Sequence, residues 1–193
     1  MMEKYIYKAD NCFTGELCDQ IIEQFNSKNL GSLNIKFTKQ TIFVDEWETC
    51  KNKLTEILNQ HISIYSNIIN FNQKPGSGLL EKYQHFSLDN LLKLNFFIKK
   101  YTIFDNDRVL FEYDNFYIDP FFENTLTFIL FLNDGFENGE TVFINDIIKP
   151  KKGRLIIFPV SWTFPYKENK IINFKDIKYI IKGNLIESKL YVK

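Results

Sequence analysis

Leu126-Thr127-Phe128-Ile129-Leu130-Phe131-Leu132-Asn133-Asp134-Gly135-Phe136-Glu137-Asn138-Gly139-Glu140-Thr141-Val142-Phe143 holds most of the architectural information in this chain. Its first half is an apolar, aromatic-rich run of strand length, after which Asn, Asp and Gly crowd into positions 133–139. Such residues favour turns, because Gly accepts positive φ and the short polar side chains bond their own backbone. The pattern therefore predicts two strands, Leu126–Asn133 and Glu140–Ile144, joined by a tight connection.

Working outward, Pro150-Lys151-Lys152-Gly153 is a turn that leads into the apolar run Leu155–Phe158, as expected of a core strand. Further strands are predicted over Leu92–Ile103, Arg108–Tyr113, Gly153–Phe158, Lys178–Lys182 and Leu185–Val192. The aromatic share of 17% suits half-buried strands, where flat rings pack on a pleated surface. Consecutive strands without helical segments between them point to a sandwich, jelly roll or barrel. The first third reads differently. Thr14 is a plausible N-cap, with Leu17, Ile21, Ile22 and Phe25 at helical spacing behind it. A second helix is expected from Glu46 to Ile69, on the spacing of Leu54, Leu58, Ile62 and Tyr65, and Gln40–Val44 reads as a short strand. The expected fold is mainly β with supporting N-terminal helices (α+β). It is read as a single domain, residues 1–90 giving helical support and the first strands and residues 91–193 the jelly-roll core.

The bulk numbers exclude several classes. Hydrophobic residues make up 45% and charged residues 25% of 193, an ordinary globular composition rather than a disordered one. Twenty-four basic residues balance 24 acidic ones, so there is no electrostatic footprint for nucleic acid. Lys149, Lys151, Lys152 and Arg154 form a short basic run that reads as a solvated turn. Cys12, Cys18 and Cys50 form no CxxC pair, and free thiols in a reducing compartment are expected. Met1–Asp10 lacks a signal-peptide core, and no apolar run approaches a membrane span, so neither secretion nor a membrane is expected.

The Leu126–Phe143 segment resembles the "LT-x-x-LYLND-x-F-x-GGET-x-F" text of prolyl 4-hydroxylase-like members of the Fe(II)/2-oxoglutarate-dependent oxygenase superfamily. Phe131 stands for the family's Tyr, and Asn138 for the first Gly of its pair. Pro150–Pro159 resembles the "PKKGR-x-x-xFP" segment that follows in the family, and Trp162-Thr163-Phe164-Pro165 and Lys178-Tyr179-Ile180-Ile181 come next in family order. Upstream, Ile98-Lys99-Lys100-Tyr101 looks like the strand entering the site, and Asp10-Asn11-Cys12-Phe13 to Phe25 like the N-terminal helix. The resemblance implies a double-stranded β-helix, the jelly roll already expected from the strand pattern.

It also locates an absence. The family holds iron with an H-x-D pair and a distal His after the "WT" element, two imidazoles and one carboxylate on one face of the metal. Here Phe111-Glu112-Tyr113-Asp114-Asn115 falls on the first motif, so Glu112 takes the histidine's place and Asp114 keeps the carboxylate. Tyr166 takes the distal position. The resemblance thus gives Glu112, Asp114 and Tyr166 as a degenerate metal triad, with Lys178 and Tyr101 as contacts to 2-oxoglutarate. Oxygen donors of this kind suit Mg²⁺, Ca²⁺ or Mn²⁺ better than Fe(II), and a tyrosine must lose a proton of ordinary pKa about 10 to become a good ligand. Aligning Tyr117-Ile118-Asp119 instead restores no histidine. Asp114-Asn115 also reads as an ordinary turn, and Lys178 as a solvent-facing residue of an alternating strand.

The expected function is a catalytically degenerate member of the fold with a binding or structural role. Neither iron nor 2-oxoglutarate is then a resident cofactor. Protein partners are expected, as a homo-oligomer or in assembly of a virus particle, with a cytoplasmic or virion location. The alternative is an active hydroxylase of a peptidyl, nucleobase or small-molecule substrate with an unusual metal site, in which case Fe(II) and 2-oxoglutarate are required. It would draw its missing ligand from His85, which otherwise reads as a loop residue, while His61 reads as the edge of a helical apolar face. A carbohydrate-binding jelly roll is compatible with the aromatic content alone.

Overall fold

A computed structural model describes residues 5–28, 40–41, 48–71, 91–103, 110–114 and 122–188. The N-terminal stretch forms strand β1 (Tyr7–Ala9) and helix α1 (Gly15–Lys28). Thr14 caps α1 as expected: its hydroxyl accepts the Leu17 N–H at 3.3 Å, satisfying one of the orphan donors of the first turn. Strand β2 (Gln40–Thr41) and helix α2 (Glu48–Phe71) follow, the latter starting and ending two residues beyond the expected bounds. Strands β3 (Leu91–Tyr101), β4 (Phe122–Phe131), β5 (Thr141–Phe143), β6 (Ile147–Ile148), β7 (Leu155–Pro159), β8 (Tyr166–Glu168) and β9 (Lys178–Ser188) complete the described elements. The fold is the expected one, mostly β-sheet with two helices in a jelly-roll arrangement.

Six strands form one sheet in the order β1-β7-β4-β9-β3-β2, and three form a small sheet in the order β6-β5-β8, with antiparallel pairing throughout. The two-residue period of a strand sends alternate side chains to opposite faces. Phe128 and Leu130 of β4, Ile157 of β7 and Ile181 of β9 thus face α1 and α2, where they meet Cys18, Ile21, Phe25, Leu54, Leu58 and Ile62. Their neighbours Ile129, Phe131, Ile156, Phe158 and Ile180 face the small sheet and pack with Phe143, Ile148 and Tyr166. Burying each such Phe, Leu or Ile is worth about 1.5–3 kcal/mol.

Three local readings are corrected. Lys178–Lys182 and Leu185–Val192 are one strand, β9, as far as Ser188. The Gly183-Asn184 pair between the two expected strands lies mid-ladder, Gly183 opposite both Phe96 and Phe128. The stretch Arg108–Tyr113 does not form a strand over its described part. Only Glu112 makes a bridge, exchanging two 2.8 Å backbone hydrogen bonds with Tyr166. The basic run is more than a solvated turn: Lys151 (2.7 Å) and Arg154 (2.6 Å) both grip Asp10, and Lys152 grips Asp19 at 2.7 Å, tying the turn to α1 and its lead-in. The substitution of Asn138 for a family glycine has a local reason. Its φ is +69°, a left-handed conformation that asparagine tolerates better than most residues.

Candidate functional site

The site lies on the face of the large sheet that looks toward the small one. Along β9 the residues of one parity are Lys178, Ile180, Lys182 and Asn184, so an apolar strand delivers three polar groups to this face. Register then places them. Thr127 of β4 lies opposite Asn184, Ile129 opposite Lys182, and Tyr101 of β3 opposite Lys178. From the other side, β8 brings Tyr166 and Glu168, and its bridge to Glu112 carries the 110–114 segment alongside.

Asp114 is the hub of one network, with its side chain 18% exposed. Its Oδ1 accepts from Lys182 Nζ at 2.9 Å, and its Oδ2 from Thr127 Oγ1 at 2.6 Å and Asn184 Nδ2 at 3.4 Å. The Tyr166 hydroxyl stands 3.2 Å from both oxygens. Asn184 also donates to Thr127 at 3.1 Å, which orients the hydroxyl toward the carboxylate. Burial alone would raise the Asp114 pKa, but the Lys182 charge and the bonds from Thr127, Lys182 and Asn184 outweigh it and hold the carboxyl below its ordinary range. The group is a carboxylate with a donor on every side.

Tyr166 is 1% exposed, its ring stacked edge-on against Phe158 with centroids 5.0 Å apart. Burial, reinforced by the charges of Asp114 and Glu112, pushes its pKa well above that of a free phenol. It is therefore a neutral hydrogen-bond donor, not a phenolate ligand. Lys182 Nζ sits 4.8 Å over the same ring and 3.7 Å from Glu112, whose side chain is 61% exposed. The three positions expected to form a degenerate metal triad are thus brought together, and an ammonium group lies among them.

Lys178 is at the centre of a second network, and it faces neither solvent nor an open cleft. Its side chain is 1% exposed; its Nζ donates to the Gly139 carbonyl at 2.6 Å and to Glu168 Oε2. The other Glu168 oxygen accepts from Thr141 Oγ1 at 2.8 Å. Tyr101 is present as expected, with its ring 5.2 Å from the Lys178 ammonium, and Phe131 lies 5.5 Å away on another side.

Sequence reasoning missed Lys182, Thr127, Asn184, Glu168 and Thr141. A signal for two of them exists, since Lys182 and Asn184 share the parity of Lys178 on β9. Nothing local marks Glu168. Of the histidines, His61 lies on α2 between Tyr7 (OH to Nδ1, 2.7 Å) and Cys12 (Sγ to Nε2, 3.3 Å), remote from Asp114 in the helical layer. Burial lowers its pKa and pushes the Cys12 thiol up to about 11. His85, Tyr117 and Asp119 lie outside the described residues. Among the described residues, no three His, Cys, Asp or Glu side chains are grouped to hold a metal ion, and no helix is long and apolar enough to cross a membrane.

No family model and no curated protein sequence matches the chain. Solved structures do. The viral collagen prolyl hydroxylase of Paramecium bursaria Chlorella virus 1, in a truncated form, is 19% identical at a TM-score of 0.62, covering 97% of this chain and 92% of its own. Its 2-oxoglutarate complex gives a TM-score of 0.65 at 19% identity, covering 95% of each chain. A Pseudomonas putida prolyl 4-hydroxylase is 13% identical at a TM-score of 0.58, covering 94% of this chain and 91% of its own. The strand and turn text, the sheet order and these likenesses converge: the chain has the fold of the prolyl 4-hydroxylase-like Fe(II)/2-oxoglutarate oxygenases.

Proposed function

We propose that this chain is a catalytically degenerate member of that fold, acting through binding or assembly rather than oxygenation. One observation carries the reading: the Lys182 ammonium rests on Asp114, the only carboxylate kept from the family's triad, while neutral Tyr166 closes the same space. These residues do not fit an iron(II) centre. Such a centre needs imidazoles and an open face, whereas Asp114 has donors on both oxygens and a cation beside it. A metal ion would have to displace Lys182 and strip a proton from a buried phenol whose pKa is already raised. No oxidative step is therefore assigned.

A protein partner fits better than nucleic acid or membrane, given the balanced charge. Supporting it, Leu110, Phe111 and Tyr113, on the segment that bridges β8, are exposed at 64%, 46% and 61%, and Ile147 on β6, at the other edge of the small sheet, at 62%. Further copies of the chain are one partner. A virus particle is another, in keeping with the viral source of one structural neighbour. Anaerobic titration with Fe(II), followed by assay of 2-oxoglutarate turnover, tests the reading. No stoichiometric iron and no succinate are expected; one equivalent of tightly held iron with succinate release would sink it.

A further inference from the structure

We infer that Cys12, His61 and Tyr7 form a thiol nucleophile site that takes small, uncharged electrophiles of the α,β-unsaturated carbonyl class. The site lies in the helical layer, across the large sheet from Asp114 and Lys178, and is independent of the function proposed there. Three elements bring the residues together: β1 carries Tyr7, α2 carries His61, and the lead-in to α1 carries Cys12. Each is half-buried rather than sealed in the core. Cys12 Sγ stands 3.3 Å from His61 Nε2, and the Tyr7 hydroxyl stands 2.7 Å from Nδ1. A nucleophile beside a base, with a third group holding the base, is the arrangement that activates a thiol. The thiol hydrogen has a second acceptor, the Ala9 carbonyl at 3.5 Å. The imidazole is the nearer of the two and, unlike an amide, can carry the proton away. When Nδ1–H donates to Tyr7, the lone pair of Nε2 is left facing the sulfur.

The sulfur is held in place by its neighbours along the chain. Lys151 and Arg154 grip Asp10, and Asn11 turns the backbone with a φ of +59°. The Cys12 N–H donates to the Gly153 carbonyl at 2.8 Å, and Phe13 is buried in the core. These anchors spare the thiol the entropy of finding its base. Burial lowers the His61 pKa; burial, offset in part by a bond from the Leu155 backbone and reinforced by Asp10, pushes the thiol up to about 11. Near about pH 7 both groups are therefore neutral, a thiol beside an imidazole rather than an ion pair. Tyr7 and Tyr65 beside them are phenols with raised pKa, and the Asp10 carboxylate is matched by its two cations. Attack then needs His61 to take the proton as the S–C bond forms. The sulfur adds to the β-carbon, the C=C π pair moves onto the carbonyl oxygen as an enolate, and His61 returns the proton to the α-carbon. No further reactant is consumed, and the imidazole is regenerated. The aromatic walls of Tyr7 and Tyr65, with ring centroids 6.0 Å apart, favour an uncharged electrophile.

The test is the rate of N-ethylmaleimide addition to the folded full chain, read at Cys12 by peptide mass spectrometry from about pH 7 to about pH 9. General-base attack gives a level rate across that window, because the imidazole and the thiol both keep their neutral forms. Attack by a free thiolate instead rises about tenfold per pH unit. Wild type is expected to be level. His61→Asn should be about 10²-fold slower near about pH 7 and show the tenfold slope. Tyr7→Phe, which removes a positioning hydroxyl, should stay level at a lower rate, and a wild-type rate in that variant overturns the role of Tyr7. A wild-type rate that climbs tenfold per pH unit overturns the inference, as does a Cys12 that stays unmodified while the chain is folded. If His61→Asn does not fold, the wild-type profile decides alone.

Discussion

The large sheet shows two faces built from the same strands, and they obey different rules. On the helical face, Phe96, Ile98, Phe128, Leu130, Ile157 and Ile181 meet two amphipathic helices in a largely apolar layer. On the other face the apolar packing of Ile129, Phe131, Ile156 and Phe158 gives way to Thr127, Lys178, Lys182 and Asn184. Apolar packing is non-directional, and a loss there scales with the volume removed. A buried polar network is conditional: each member is tolerable only because the others are present. The first face sets how stable the molecule is, and the second sets what it can hold.

The comparison is sharpest where a single truncation is large. Phe128→Ala, on the helical face, should cost about 3–5 kcal/mol in urea unfolding and leave the behaviour toward metals unchanged. A cost under about 1 kcal/mol would mean the helical layer does not carry the stability. Lys182→Met should cost less, about 2–3 kcal/mol, because the carboxylate left behind still keeps Thr127 and Asn184. Here the two faces part company. Adding Asp114→Asn to Lys182→Met should recover some of that loss, and a strictly additive pair would show that the two residues are not coupled.

Acid gives a smaller and more diagnostic effect. The folded pKa of Asp114 lies below its unfolded value, so its contribution is complete above the unfolded carboxylate range, near about pH 4, and fades as pH falls through the folded value. Asp114→Asn should therefore flatten the acid limb of urea midpoints measured between about pH 5 and about pH 2. An unchanged limb would assign the acid sensitivity elsewhere. Smallest of all should be Asp19→Asn, which releases Lys152 from a partner that is 66% exposed. It is expected to cost under about 1 kcal/mol and to become silent in high salt.

Much of this was legible in the sequence, for reasons of period and turn chemistry. The cap at Thr14, the helical stripes and the β4–β5 connection were readable because each extends over enough residues to repeat or carries Gly and Asn at fixed places. Strands β1, β6 and β8, two or three residues each, repeat nothing and were missed. The positions of Glu112, Asp114, Tyr166, Lys178 and Tyr101 were readable from motif order, and all five do face the two networks. Their partners were not. That Asn184 joins Lys182 at Asp114 follows from β9 continuing past Lys182, where two separate strands had been expected. That Glu168 reaches Lys178 follows from which strand lies across from it, and no local pattern encodes that.

Sheet order has a consequence for how the chain is made. β9 lies between β4 and β3, although both are synthesised long before it. Until residues 178–188 leave the ribosome, those two strands each present an unpaired edge down the middle of the future sheet. β1 likewise waits for β7, whose residues lie far along the chain. Such non-local pairings fold slowly and leave sticky edges exposed meanwhile. Nascent chains stalled before β9 should thus be the aggregation-prone species and the natural clients of chaperones, with release of the final strand closing the sheet.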